Sequence, residues 1–228
     1  MPKVRNDREL MRFGYRIARF ASYCMLKMLF RLSFKGVENI PQSGGVIIAS
    51  NHAAYVDPPC VGACIPREAT FFAKKELFAV PVVREFITYT NSIPVDRQGF
   101  SRSSLNEVIK RLKDGWAVLL FPEGTRTKTG EFLEPKSGAG MMAVMADVPI
   151  VPCFVEGSFG AKPFRSKITI HFLPPFKPSD IKANTRKEHY LLVSKRIMYD
   201  ISKLYKTQMA MKQLNSEDVV SVRRNRKP

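Results

Sequence analysis

The sequence predicts an α/β domain, a sheet with helices on both faces, and three observations lead there. Beyond residue 35, short apolar runs alternate with segments of helical period. The runs Gly45-Val46-Ile47-Ile48-Ala49-Ser50 and Trp116 to Phe121 are almost wholly apolar, as strands buried on both faces must be. The chain has 228 residues, 45% hydrophobic and 25% charged, which suits one core able to stabilise itself without disulfides or metals.

The first 35 residues stand apart. They carry nine basic residues against two acids, Asp7 and Glu9. On a helix, Arg8, Arg12, Arg16 and Arg19 fall within an arc of roughly 80°. Leu10, Ile17, Ala21, Cys24 and Met28 gather opposite, and Phe13, Phe20, Met25, Leu29 and Phe30 widen that apolar face. A cationic helix with a bulky apolar face suits the plane of a membrane interface. An ordinary amphipathic helix packed on the core is the plainer alternative. The excess of arginine favours the membrane, with Arg8, Arg12, Arg16, Arg19, Phe13, Phe20 and Phe30 in contact with it.

From Lys35 onward each element has its own signal. Residues 45–50 read as a buried strand, and 70–73 and 92–95 as further strands. Ser101 to Lys113 reads as a helix: Ser101 and Ser103 are candidate N-caps, and Leu105, Val108, Ile109 and Leu112 keep helical spacing. Asp114-Gly115 stops it. After the strand 116–121 come a polar loop, 122–137, and a small-residue helix, Gly138 to Met145. Val148 to Val155 reads as a strand broken by Pro149 and Pro152, and Lys167 to Leu173 alternates as a half-buried strand does. A helix from Thr185 to Tyr205 follows. The expected division is a basic helical segment (1–35), an α/β domain (36–205) and a polar, basic, flexible tail (206–228).

Charge narrows the function. Lys and Arg number 37 against 20 Asp and Glu, a formal net charge of +17, so an anionic partner is expected: nucleic acid, anionic lipid or a phosphorylated small molecule. No apolar run reaches the roughly 18 residues that span a bilayer. Arg5, Arg8, Arg12, Arg16 and Arg19 interrupt any signal-peptide core, which makes the reducing cytoplasm the expected compartment. Cys24, Cys60, Cys64 and Cys153 are then expected as buried, inert thiols, with neither disulfide nor metal-ligand spacing.

Ligands of open α/β sheets bind beyond the carboxyl ends of strands, and three polar segments follow apolar strands here. In Asn51-His52-Ala53-Ala54-Tyr55-Val56-Asp57-Pro58, a histidine and a carboxylate five residues on can converge across a turn. Asp57 would orient one ring nitrogen and leave the other free to take a proton. Spacing alone favours the plainer reading, Asp57 as a helix N-cap before Pro58 with His52 a surface residue. In Ile93-Pro94-Val95-Asp96-Arg97-Gln98-Gly99, Arg97 suits an anion beside a helix start, or pairs with Asp96 on a solvated loop. In Phe121-Pro122-Glu123-Gly124-Thr125-Arg126, with Lys136 ten residues further on, two cations, a glycine and a carboxylate can grip a phosphate and a hydroxyl together, or form a charged surface turn.

NHAAYVDP, IPVDRQG, FPEGTR and VPIVPC, in this order, resemble the four blocks of the glycerolipid acyltransferase family, the histidine-x4-aspartate acyltransferases. AKKELFAVP, from Ala73 to Pro81, is similar to a segment of the 1-acylglycerol-3-phosphate acyltransferases within it. The resemblance implies a mixed, largely parallel sheet flanked by helices, with an N-terminal amphipathic helical membrane-binding motif. It implies His52 as general base and Asp57 as its orienting carboxylate. Arg97, Arg126, Lys136 and Lys74 are implied at the acceptor's phosphate, while Glu123, Gly124 and Thr125 position that acceptor and Pro149 to Pro152 shape the acyl-donor side. The chain departs from the pattern at Lys136-Ser137-Gly138, where many relatives have two lysines before the glycine.

The implied reaction moves a fatty acyl group from acyl-CoA or acyl-carrier protein to the sn-2 hydroxyl of 1-acyl-sn-glycerol 3-phosphate, making phosphatidic acid for phospholipid biosynthesis. Implied partners are anionic membrane lipids, lysophosphatidate, and acyl-CoA or an acidic acyl-carrier protein. No metal, no cofactor beyond the acyl donor and no nucleic acid are implied. The expected place is the cytoplasmic face of a membrane, peripheral or monotopic, at the inner membrane of a bacterium. Other readings compete. A charge of +17 permits nucleic-acid binding, although no binding module is recognisable. Metal-assisted hydrolysis around His52 and Asp57 needs more ligands than one histidine and one aspartate. Another lysophospholipid or a lyso-aminolipid is the nearest competing acceptor.

Overall fold

Strand β2 (Val46–Ser50) is buried at every position, and its two faces serve two cores. Val46 and Ile48 join the apolar cluster on one side of the sheet, Ile47 and Ala49 the cluster on the other. An alternating strand could not do this, which is why the sequence there is an unbroken apolar run. The computed structural model describes residues 13–95 and 101–224. Around β2 lie helix α1 (Phe13–Phe30), β1 (Ser33–Lys35), α2 (Asp57–Cys64), β3 (Ala69–Thr70), β4 (Phe72–Lys74), α3 (Pro81–Tyr89) and β5 (Ile93–Val95). The chain continues through α4 (Arg102–Lys113), β6 (Ala117–Leu120), α5 (Gly138–Ala146), β7 (Ile150–Glu156), β8 (Thr169–Phe172) and α6 (Arg186–Arg224).

Six strands form one sheet in the order β1-β8-β7-β2-β6-β3. β2 runs parallel to both β6 and β7, β3 parallel to β6, and β1 parallel to β8, whereas β7 and β8 are antiparallel. The sheet is therefore mixed and largely parallel, as expected. Residues of α1 and α2 fill one core; α4, α5 and α6 fill the other. Ser101 caps α4 by accepting a hydrogen bond from the Ser104 amide at 3.1 Å, and Val108, Ile109 and Leu112 are buried as their spacing predicts. Gly140 lets α5 approach α6 closely, because a Cβ there would strike the Tyr190 carbonyl.

Several boundaries differ from the sequence reading. The expected strand 70–73 is two strands in two sheets: β3 closes the edge of the main sheet, and β4 pairs with β5 in a separate parallel ribbon. Pro152 does not break β7. Its register with the returning chain shifts between the Ile150–Phe176 bridge and the Cys153–Phe172 pair, so the missing N–H falls where that ladder is already interrupted. Helix α2 gave no periodic signal because Cys60, Val61, Ala63 and Cys64 are all buried. Of the segment expected as a separate basic unit, residues 1–12 lie outside the described residues, while in the rest α1 packs on α2, Leu32 is buried, and β1 extends the sheet. Of the expected flexible tail, residues 206–224 continue α6, which runs for 39 residues to Arg224. Its Lys, Met, Ala and Gln after Tyr205 are good helix formers without an apolar stripe.

Candidate active site

Because β2 and β6 are parallel neighbours at the centre of the sheet, the loops leaving Ser50 and Leu120 emerge side by side. The first loop turns back on itself so that His52 Nδ1 lies 2.9 Å from Asp57 Oδ2. The same oxygen accepts hydrogen bonds from the Ala53 and Ala54 amides, each at 2.7 Å. Asp57 is fully buried and is the first residue of α2, where the helix dipole favours its negative charge. Pro58 and Pro59 follow it, so the first turn of the helix offers few N–H donors of its own. The carboxylate is thereby committed to the loop and the imidazole. Asp57 begins the helix but does not cap it, the N-cap being Val56, and its Oδ2 lies against the His52 ring.

The second loop fixes the ring from the other side. Phe121 stacks on the imidazole, centroids 4.0 Å apart and planes 20° from parallel. Glu123, 2% exposed, accepts a hydrogen bond from the His52 amide through Oε1 and from the Leu133 amide through Oε2, both at 2.8 Å. The Thr127 amide donates to the His52 carbonyl at 2.9 Å. Burial pushes the Glu123 carboxyl above its ordinary range, and the two backbone donors oppose that rise. Glu123 therefore clamps the two loops together and does not line the cavity beside them.

That cavity has a volume of about 720 Å³. His52 lines it, with its Nε2 left without a partner among the described residues. Lys74, Arg126 and Lys136 line it too, as do Gly124 and Thr125. Gly124 has φ +71°, and a Cβ there would come within 3.1 Å of the Lys136 stem. Glycine thus supplies the left-handed turn and lets the Lys136 stem lie across the loop. Among the described residues, none of Lys74, Arg126 and Lys136 has an acidic partner. Three unneutralised cations beside one free imidazole nitrogen can hold an anionic molecule while taking a proton from it. Among the described residues, no three His, Cys, Asp or Glu converge to hold a metal ion.

Other expected site residues fall differently. Arg97 lies outside the described residues, as do Arg8 and Arg12; so does the Phe13 side chain. Arg16 and Phe20 are exposed on α1. Arg19 turns inward, its Nη1 donating to the Ala63 carbonyl at the end of α2 at 3.2 Å, and it lines the cavity. Phe30 is buried in the core and not available to a membrane. Pro149 to Pro152 lead into the buried strand β7, away from the cavity wall. Cys60 and Cys64 are buried thiols pushed up to about 12, mainly by burial; burial raises Cys153 as well. Cys24 departs from expectation, being exposed.

A protein-family model for the acyltransferases matches residues 31–156, more than half the chain and the whole of this loop pair. The chain belongs to the acyltransferase family. This acyltransferase is 32% identical over 170 residues to the 1-acyl-sn-glycerol-3-phosphate acyltransferase of Bacillus subtilis, the match covering 73% of this chain and 84% of that one. Similarity to the protein of the same name from Cocos nucifera is 32% over 145 residues, 59% of this chain but only 46% of the plant protein. In structure it resembles the crystallised 1-acyl-sn-glycerophosphate acyltransferase PlsC of Thermotoga maritima, with a TM-score of 0.68, 26% identity, and coverage of 86% and 84% of the two chains. Two features of the acyltransferase site had no reading in the sequence. One is the stacking of Arg126 on Tyr55; the other is the inward turn of Arg19. Neither follows from spacing, since each joins segments far apart in the chain.

Proposed function

We propose that this acyltransferase moves a fatty acyl group from a thioester to the sn-2 hydroxyl of 1-acyl-sn-glycerol 3-phosphate, making phosphatidic acid. The observation that carries the reading is a buried Asp57 paired with a partly exposed His52, opening onto a cavity whose wall holds Lys74, Arg126 and Lys136, without acidic partners among the described residues. A dianionic phosphomonoester meets those cations while the glycerol hydroxyl reaches His52 Nε2. The names of the similar proteins from Bacillus subtilis and Thermotoga maritima support the same acceptor.

The chemistry balances without an enzyme nucleophile. His52 Nε2 takes the hydroxyl proton as the oxygen attacks the thioester carbonyl. Asp57 accepts the Nδ1–H and stabilises the imidazolium that forms. The tetrahedral intermediate collapses, the C–S bond breaks, and the thiolate takes the proton back from Nε2. Glu123 holds the His52 backbone in register throughout. Arg97, read from the sequence, joins the phosphate site, and the thioester is acyl-CoA or acyl-carrier protein.

The protein works at a membrane surface, on the cytoplasmic face. Among the described residues, no helix is long and apolar enough to cross a bilayer. Helix α1 instead presents Ile17, Phe20, Met25 and Met28 to solvent, an apolar face beside the exposed Arg16 and Lys27.

Purified enzyme is to be offered lysophosphatidate, lysophosphatidylcholine, glycerol 3-phosphate and a lyso-aminolipid, each with both thioester donors. Lysophosphatidate gives the highest kcat/KM, and His52→Ala lowers kcat by roughly 10²-fold or more with the fold intact. Preference for a zwitterionic acceptor, or near wild-type turnover in a folded His52→Ala protein, overturns the reading.

A further inference from the structure

Tyr55 is 76% exposed and yet lines the cavity. An aromatic ring held so far into solvent at a substrate site calls for a partner, and it has one. The guanidinium carbon of Arg126 sits 3.4 Å from the ring centroid. Among the described residues, the Arg126 guanidinium has this ring as its partner and no carboxylate or carbonyl acceptor beside it. The choice of partner matters chemically. A carboxylate would neutralise the cation and occupy its N–H edge. A ring takes the flat face and leaves the in-plane donors and the charge free.

We propose that Tyr55 is a positioning residue for the acceptor: its ring holds Arg126 with the N–H fork presented to the substrate phosphate. This deepens the phosphate recognition proposed above and rests on it. Tyr55 belongs to the His52 loop and Arg126 to the Glu123 loop, so the stack ties the anion-binding side of the cavity to the general base. A long, otherwise untethered side chain is ordered before substrate arrives, and the phosphate meets a preset fork. The glycerol backbone bounds the distance from phosphate to sn-2 hydroxyl, so a fixed fork limits where that hydroxyl lies relative to His52.

The full chain is assayed on vesicles containing lysophosphatidate. Tyr55→Leu raises KM for lysophosphatidate by roughly three- to tenfold, with kcat within about twofold and the thioester KM unchanged. Tyr55→Phe and Tyr55→Trp, which keep a ring face, stay near wild type. In an Arg126→Ala background, Tyr55→Leu adds nothing further. A merely structural role would lower the melting temperature and disturb both substrates alike. If Tyr55→Leu leaves KM unchanged while Arg126→Ala raises it, the positioning role is overturned and the phosphate site stands. An equal effect of Tyr55→Leu with and without Arg126 also overturns it. If Arg126→Ala itself leaves the lysophosphatidate KM unchanged, the phosphate reading falls and takes this proposal with it.

Discussion

A carboxylate buried beside a histidine at a cavity wall need not face the cavity itself. Glu123 spends both oxygens on backbone amides, those of His52 and Leu133, and so fixes where His52 sits. A glutamine there retains one acceptor and turns an NH2 toward the other amide, leaving a buried donor unsatisfied at a cost of about 1–3 kcal/mol. Glu123→Gln is therefore expected to lower kcat by roughly tenfold and the melting temperature by a few degrees, with KM for the thioester little changed. The pH dependence has a definite sign. Because burial raises the Glu123 carboxyl in the folded protein, the folded state holds that proton more tightly than the unfolded chain. Its contribution to stability falls as pH rises through that window, and the Gln variant removes this slope in denaturant titrations across mildly acid pH. The resemblance in the sequence marks His52 and Asp57 as a pair and Glu123 as a residue that positions the acceptor. It does not show that Glu123 works through the backbone, since two N–H donors 71 and 10 residues away leave no trace in spacing.

Helix α1 divides its apolar residues between two tasks that hydrophobicity alone cannot separate. Tyr15, Leu26 and Phe30 are buried, whereas Ile17, Phe20 and Met28 face outward, Phe20 with 66% of its surface exposed. Phe20→Glu should then weaken binding to anionic vesicles several-fold while leaving the melting temperature within a degree or two. Phe30→Ala should instead cost about 3–5 kcal/mol of stability, as large cavities in cores do. Vesicle sedimentation and thermal melting of the two variants check the division, and equal melting temperatures would refute it. The same blindness explains the other boundary shifts. α2 is buried almost all round and therefore lacks a period; β3 and β4 are contiguous in sequence but pair with different strands. α6 runs on past Ile201 and Leu204, the last of its residues described as packing in the core.

Over the whole molecule, a charge of +17 acts at longer range than any one contact. The Debye length shrinks from about 10 Å at 0.1 M salt to about 3 Å at 1 M, and each basic residue near an anionic surface contributes about 1 kcal/mol at most. Affinity for vesicles rich in anionic lipid should fall at least tenfold over roughly that range, while the weaker binding to zwitterionic vesicles, carried by the apolar face of α1, changes little. Sedimentation at several salt concentrations measures both. Salt-independent binding would mean that the charge serves another partner. Composition and the buried runs at β2 and β6 were readable from residue order, because each is local or set by the periodicity of a single element; the pairing of His52 with Asp57 was allowed by spacing but singled out only by the resemblance of four ordered blocks. Which of the α1 side chains enter the core, which cations stay without acids, and which ring meets Arg126 were settled by packing between distant segments, where the partner is chosen by space and not by sequence distance.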